Sequence, residues 1–318
     1  MVYRDLYRRG EEELRSAGIE ESELEARLLL EYVCGTGRSD LLAHGDRAVG
    51  QEQEKEYEQL IGKRRMRIPL QHLTGVQEFM GLTFSVNEHV LIPRQDTEIL
   101  VEEVLRNLHD GMRILDMCTG SGCILISLLH YSNRCEGVGA DISEEALAVA
   151  RENARRLLRA GEDGGSTEEL PAAGKYTEDG NAATLEENAG KCSCGTDGIC
   201  FVSGDLFTNI SGKFDLIVSN PPYIRRNVIR TLMPEVREHE PLQALDGGED
   251  GLDLYRRIIQ ESRGYLFGGG MLFLEIGYDQ KEAVCALMKK AGFLEIQAVK
   301  DYAGLDRVVY GTRSFDYT

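Results

Sequence analysis

Apolar positions recur at helical spacing from residue 1 to about residue 75, where Leu24, Leu28, Leu29 and Tyr32 follow Ser22 and Glu25, a pair spaced as a capping box. A second helical run extends from about Gln51 to Met66, and Pro69 forbids its continuation because proline lacks a donor and clashes with the preceding turn. The pattern therefore predicts a small helical domain over 1–75. Between Val76 and Ile92 the apolar residues Phe79, Leu82, Phe84, Val86 and Val90 flank Gly81, which predicts a β-hairpin linker over 76–92. Asp96 or Thr97 is then placed to cap a helix bearing Ile99, Leu100, Val104 and Leu108.

Strand and helix patterns alternate through the rest of the chain, 93–318. The strand candidates are Arg113 to Met117, Gly137 to Ala140, Cys200 to Ser203, Phe214 to Ser219, Met271 to Ile276, Leu294 to Lys300 and Arg307 to Gly311. Seven strands with helices between the early ones predict an α/β doubly wound sheet. Only Asp301 to Asp306 separate the last two strands, too few residues for a crossover helix, so that pair should be antiparallel. About forty residues at 160–199, rich in Gly, Ala, Glu, Asp, Ser and Thr, exceed any usual helix-to-strand loop and predict a disordered insertion. Cys192, Cys194 and Cys200 at its end have no nearby histidine or fourth thiol to complete a tetrahedral site, so no metal is expected.

Composition narrows the class. With 42% apolar and 28% charged residues the chain has globular usage, and no stretch reaches membrane-spanning length. The scattered cysteines and the charged start, with Arg4, Asp5, Arg8 and Arg9, predict a cytoplasmic protein without a secretion signal. A net charge of -18 argues against a grip on nucleic-acid phosphates. The run Lys63-Arg64-Arg65-Met66-Arg67 is a local exception, read here as cations that complement a helix C-terminus.

Two turns carry the candidate chemistry. The buried strand Ile114 to Met117 runs into Cys118-Thr119-Gly120-Ser121-Gly122 and then a helix, a geometry that opens a ligand crevice beyond the strand end. A dinucleotide fingerprint would need glycine at position 125, where Leu125 stands, so a cofactor without pyrophosphate, such as S-adenosylmethionine, fits better. Asp141 follows the next strand, where a carboxylate accepts hydrogens from a ribose diol; a helix cap is its competing role, although Ser143 could serve instead. Asn220-Pro221-Pro222-Tyr223 directly follows the strand Phe214 to Ser219, which brings it to the same sheet edge. The prolines fix the turn, so that the Asn220 side-chain oxygen and the Pro221 carbonyl accept both hydrogens of one planar NH2 group and favour its pyramidal, nucleophilic form. The Tyr223 ring is expected beside the charge that develops on that nitrogen.

With these turns, Pro69 to Gly75, Ile92 to Glu98, Glu240-Pro241-Leu242 and Ala244 to Gly248, the chain resembles the peptide chain release factor glutamine methyltransferase family. The resemblance implies a class I, Rossmann-like, seven-stranded S-adenosylmethionine methyltransferase domain, with product S-adenosylhomocysteine, joined by the hairpin to a helical substrate-recognition domain. It implies the methionine end of the cofactor at Cys118 to Gly122, ribose at Asp141, adenine at Asp205 and Leu206, and the substrate glutamine at Asn220, Pro221, Pro222 and Tyr223, with Asn220 also near the cofactor. Arg94 and Thr97 would lie near the cofactor entrance. The implied substrate is the Gly-Gly-Gln glutamine of class I release factors, with no membrane and no direct nucleic-acid substrate. Cys118 stands where the family commonly has glycine, and Leu206 where it often has an aromatic residue. An amino methyltransferase acting on adenine or cytosine is the nearest alternative, and a noncatalytic binding protein is a further one.

Overall fold

The computed structural model of the chain describes residues 1–159 and 198–315. The insertion expected at about 160–199, with Cys192 and Cys194, falls almost wholly outside the described residues. Backbone proximity divides the chain into two units, Met1–Val76 with Met233–His239, and Gln77–Leu232 with Glu240–Thr318.

The first unit is helical: α1 (Tyr3–Ser16), α2 (Ser22–Cys34), α3 (Arg38–Ala43), α4 (Gln51–Arg65) and α5 (Leu70–Thr74). Its core is Tyr3, Leu6, Leu14, Leu29, Leu30, Tyr57 and Ile61, the apolar stripe of three helices. Ser22 is the first helical residue of α2 and makes no cap bond, so the expected capping box is not formed. Glu25 instead pairs with Arg64, which is 5% exposed and also bonds Glu235 at 3.0 Å. Arg67 reaches the same Glu235 oxygen at 3.0 Å, and Arg65 pairs with Glu13 at 2.9 Å. These arginines of the basic run are engaged inside the unit. Burial disfavours an ionised Glu235, but its N–H bond and the two arginines bring the carboxyl below the usual range.

The second unit begins with a hairpin, β1 (Val76–Phe79) and β2 (Leu82–Ser85), which turns at Met80 and Gly81, and continues with α6 (Gln95–Asn107), β3 (Arg113–Met117), α7 (Cys123–His130), β4 (Glu136–Asp141) and α8 (Glu144–Arg159). After the undescribed stretch come β5 (Ile199–Ser203), β6 (Phe214–Ser219), α9 (Arg226–Ile229) and α10 (Pro234–His239), the last of which belongs to the first unit. Then follow α11 (Asp253–Ser262), β7 (Leu266–Glu275), α12 (Lys281–Lys290), β8 (Phe293–Lys300) and β9 (Asp306–Arg313). The seven strands order as β5-β4-β3-β6-β7-β9-β8, parallel except for the antiparallel pairs β7/β9 and β9/β8. Central strands such as β3 and β6 are buried almost throughout because helices cover both faces of a parallel sheet. The edge strand β8 instead exposes Glu295, Gln297 and Lys300.

Two further expectations differ from the structure. β7 starts at Leu266, not Met271, because Leu266 pairs with Phe214 while Gly268, Gly269 and Gly270 form a bulge before Met271 pairs with Leu216. Neither Asp96 nor Thr97 caps α6; Arg94 occupies the cap position, Asp96 pairs with Arg307, and Thr97 is buried within the first turn. Ile217 lies fully buried in the central strand β6, so Ile217→Ala should cost about 2–5 kcal/mol. Urea unfolding measures this, and a loss under about 1 kcal/mol would mean the site collapses around the gap.

Candidate active site

The strand order reverses at β3. From there β4 and β5 extend to one side and β6 to the other, which opens a crevice at the carboxyl ends of β3 and β6. Met117 pairs with Ser219, so Cys118 and Asn220 are the next residues beyond paired positions. Ser219 Oγ donates to the Met117 carbonyl at 2.6 Å and ties the two ends together. A cavity of about 370 Å³ lies at this edge. Its wall includes Cys118, Thr119, Gly120 and Ser121 after β3, and Asp141 at the end of β4. Asp205 and Leu206 follow β5 into the wall, and Asn220 and Pro222 follow β6.

Gly120 has φ +54°, and a Cβ built there would meet nothing within 4 Å, so its main chain faces open space. Gly122 differs: it is not in the wall, and a Cβ there would lie 2.9 Å from Ile126 and 3.2 Å from Ala150, so glycine permits α7 to pack on α8. Asp141 accepts the Gly120 N–H at 2.9 Å and the Ser143 N–H at 3.0 Å. Ser143 Oγ accepts the Ala146 N–H at 3.0 Å, so Ser143 caps α8 and the competing role for Asp141 is taken. Burial lifts the Asp141 carboxyl above its ordinary range despite these N–H bonds. Behind the turn, burial pushes the Asp116 carboxyl up to about 7, although Thr119 donates to it at 2.6 Å. Cys118 has φ +61°, a left-handed conformation that glycine adopts freely and that costs another residue roughly 1–2 kcal/mol. Asp205 pairs with Arg257 at 2.9 Å, and both line the cavity.

The loop after β6 is held from behind. Asn220 Nδ2 donates to Thr97 Oγ1 at 3.2 Å, and Thr97 itself lines the cavity. Pro221 and Tyr223 are not in the wall. The Tyr223 hydroxyl donates to Glu275 Oε1 at 3.2 Å, and its carbonyl accepts from Gln280 at 3.0 Å. Ile224 exchanges main-chain bonds with Leu245 and Gly247, which lays residues 245–251 against the loop. A Cβ at Gly247 would sit 2.7 Å from the Tyr223 backbone, and one at Gly251 2.5 Å from its carbonyl oxygen, so only glycines permit this approach. Arg94, also in the wall, pairs with buried Glu240.

Sequence reasoning left Glu275, Gln280, Glu240 and Arg257 unremarked as site residues. Glu275 had a signal, a carboxylate ending an otherwise apolar strand. Glu240 opens a motif that carries the resemblance but was given no role, whereas Gln280 and Arg257 sit among many polar neighbours and had none.

A model of the PrmC N-terminal domain matches residues 5–75, and a methyltransferase domain model matches residues 108–160. A release factor glutamine methyltransferase of Caulobacter vibrioides is 39% identical over 304 residues, covering 95% of this chain and 93% of the relative. The chain belongs to the release factor glutamine methyltransferase family. A second member, from Moorella thermoacetica, is 40% identical over 298 residues and covers 92% of each chain. In fold alone, a methyltransferase structure from Pyrococcus furiosus matches 80% of this chain and 100% of that one, at 16% identity and a TM-score of 0.50. Among the described residues, this family member has no cluster of acidic, histidine or cysteine side chains fit to hold a metal ion, and no helix long and apolar enough to cross a membrane.

Because Gly251 combines φ +77° with its approach to Tyr223, Gly251→Ala should destabilise this unit by about 2 kcal/mol or more. It should also displace the Asn220 loop. Unfolding midpoints and methyl-transfer rates check both, and an unaltered rate would show that residues 245–251 do not hold the loop.

Proposed function

We propose that the protein methylates the side-chain amide nitrogen of the glutamine in the Gly-Gly-Gln loop of class I peptide chain release factors, with S-adenosylmethionine as donor. The observation that carries this reading is Asn220 in the cavity wall, with its amide nitrogen engaged by Thr97 and its oxygen left as the acceptor. Family membership supplies the substrate. A substrate of the translation machinery implies the cytoplasm.

The cavity residues fit the cofactor. Each Asp141 oxygen accepts one N–H and keeps a lone pair for a ribose hydroxyl. Gly120 offers open main chain for the methionine end, and Leu206 and Leu254 offer apolar wall for adenine, with Asp205 beside them. When bound, the cofactor supplies an electrophilic methyl group on a sulfonium centre.

The chain's own part is positioning. A glutamine amide nitrogen is a weak nucleophile because its lone pair is delocalised into the carbonyl. Asn220 Oδ1 accepts one of its hydrogens; the Pro221 carbonyl, outside the cavity wall but claimed by no N–H among the described residues, accepts the other when the glutamine side chain reaches the loop. Both acceptors gain strength as positive charge develops on the nitrogen, which lowers the barrier more than it tightens ground-state binding. Tyr223 contributes by anchoring the loop through its hydroxyl and carbonyl. The proton released after transfer passes to solvent.

An adenine or cytosine amino group would suit the same acceptors. The net charge of -18 and the internal pairing of Arg64, Arg65 and Arg67 disfavour that substrate. Mass measurement on a release factor incubated with enzyme and cofactor should show one added methyl on the glutamine; methyl label on DNA alone would reverse the ranking. Asn220→Ala should lower kcat by about 100-fold or more while cofactor Kd changes by about threefold or less. Equal losses in both would contradict the assignment.

A further inference from the structure

Glu275 does not line the cavity, yet it stands directly behind the two ends of the Asn220–Tyr223 loop. It is the last residue of β7, 2% exposed, after Leu272, Phe273 and Leu274, which are fully buried. A carboxyl in such a place costs stability unless its partners need it. Its Oε1 accepts the Tyr223 hydroxyl, and its buried Oε2 has no hydrogen-bond partner among the described residues. The Thr97 hydroxyl lies close enough to favour the ionised carboxyl, as does the charge of Arg307.

Thr97 has a single proton to give. Its oxygen accepts from Asn220 Nδ2, so its own proton must point elsewhere, and the unpartnered Glu275 Oε2 is the buried acceptor that needs one. A carboxylate cannot donate, so it leaves Thr97 one arrangement, with the hydroxyl donating inward and accepting from Asn220. That arrangement turns the Asn220 amide so that its nitrogen meets Thr97 and its oxygen is left for the substrate. With a donor in place of the carboxylate, Thr97 could reverse and the Asn220 amide could flip, presenting an NH2 group to the substrate NH2.

We propose that Glu275 is a positioning residue whose unpartnered Oε2 takes the Thr97 proton and so sets the direction of the Thr97–Asn220 hydrogen bond, so that an acceptor and not a donor meets the substrate amide. The inference rests on the amide-methylation reading above. Its simplest probe is Glu275→Gln, which keeps the volume and still accepts from Tyr223 but offers Thr97 a donor. Thr97→Val removes the link at constant shape, and Thr97→Ser restores it.

The full-length enzyme is assayed with a purified class I release factor, and cofactor Kd and thermal midpoint are measured on each variant. Glu275→Gln and Thr97→Val should each lower kcat by about 10- to 100-fold, with cofactor Kd and release-factor KM within about threefold. The double variant should be no worse than the weaker single, because both break one chain. Thr97→Ser should recover at least about tenfold over Thr97→Val.

The pH profile is a second readout. Burial raises the Glu275 carboxyl to about 7 against the lowering effects of Thr97, Arg307 and Tyr223, and Asp96 raises it further. Tyr255 from α11 and Cys123 from α7 also face it, and burial pushes Tyr255 well up and Cys123 up to about 12, so both stay neutral at assay pH. Since the ionised carboxyl is the working form, kcat should rise with pH through about 7, and Glu275→Gln should lack that limb. A Glu275→Gln enzyme with kcat within about twofold of the parent, or with losses of cofactor affinity and stability that match its loss of rate, overturns the proposal. So does a double variant whose losses multiply. A parent enzyme that leaves the release factor unmodified defeats the functional reading itself, a separate result.

Discussion

The parallel pairing of β3 with β6 is the constraint on which the site depends. Met117 opposite Ser219 fixes where both strands stop, and the Ser219 hydroxyl on the Met117 carbonyl keeps the two ends level. Everything that follows each strand starts from that line: the glycine turn on one side, the proline turn on the other. A one-residue slip of β6 would have to repack Leu216, Ile217 and Val218, which are buried on both faces of the sheet, and that packing resists it. The apolar core thus sets the distance between the two turns, and the turns need only be stiff.

Stiffness comes from different sources in the two turns. After β3, main-chain bonds from Gly120 to Asp141 and from Thr119 to the Ala140 carbonyl fasten the turn to β4. After β6, two prolines restrict the chain from within, and residues 245–251, Gln280 and Glu275 hold it from outside. On the proposed reading the second turn carries the group that must discriminate donor from acceptor, and it is the one buttressed on its far side by buried polar side chains. Such a shell is stable only when every member has a partner, which makes the loop sensitive to substitutions that never touch a ligand.

Much of the fold was legible because periodicity reports burial. The strands β3, β4 and β6 stand within a residue of expectation, since a covered parallel strand is an unbroken apolar run. β7 was read short because its opening includes three glycines, and glycine speaks of turns until a partner such as Phe214 shows that pairing resumes across a bulge. Ser22, Asp96 and Thr97 were read as local caps, and each is used otherwise. A sequence window holds the competition for nearby N–H groups but not the tertiary partner that wins. Cys118, Thr119, Gly120, Asp141 and Asn220 could be named as a group because they follow strand ends, whereas Glu275 and Gln280 act through space, beyond the reach of spacing.

The helical unit is not a contiguous stretch of sequence. Residues 233–239 belong with it, although both flanks of that segment belong to the other unit. Scission after Val76 would therefore not release two self-sufficient pieces: the N-terminal fragment would keep Arg64 buried with one of its two carboxylates gone, and the remainder would carry α10 as a remnant stripped of its core. Moving the helical unit onto another scaffold would require transplanting two separate stretches of sequence, and exchange of the unit by recombination meets the same barrier.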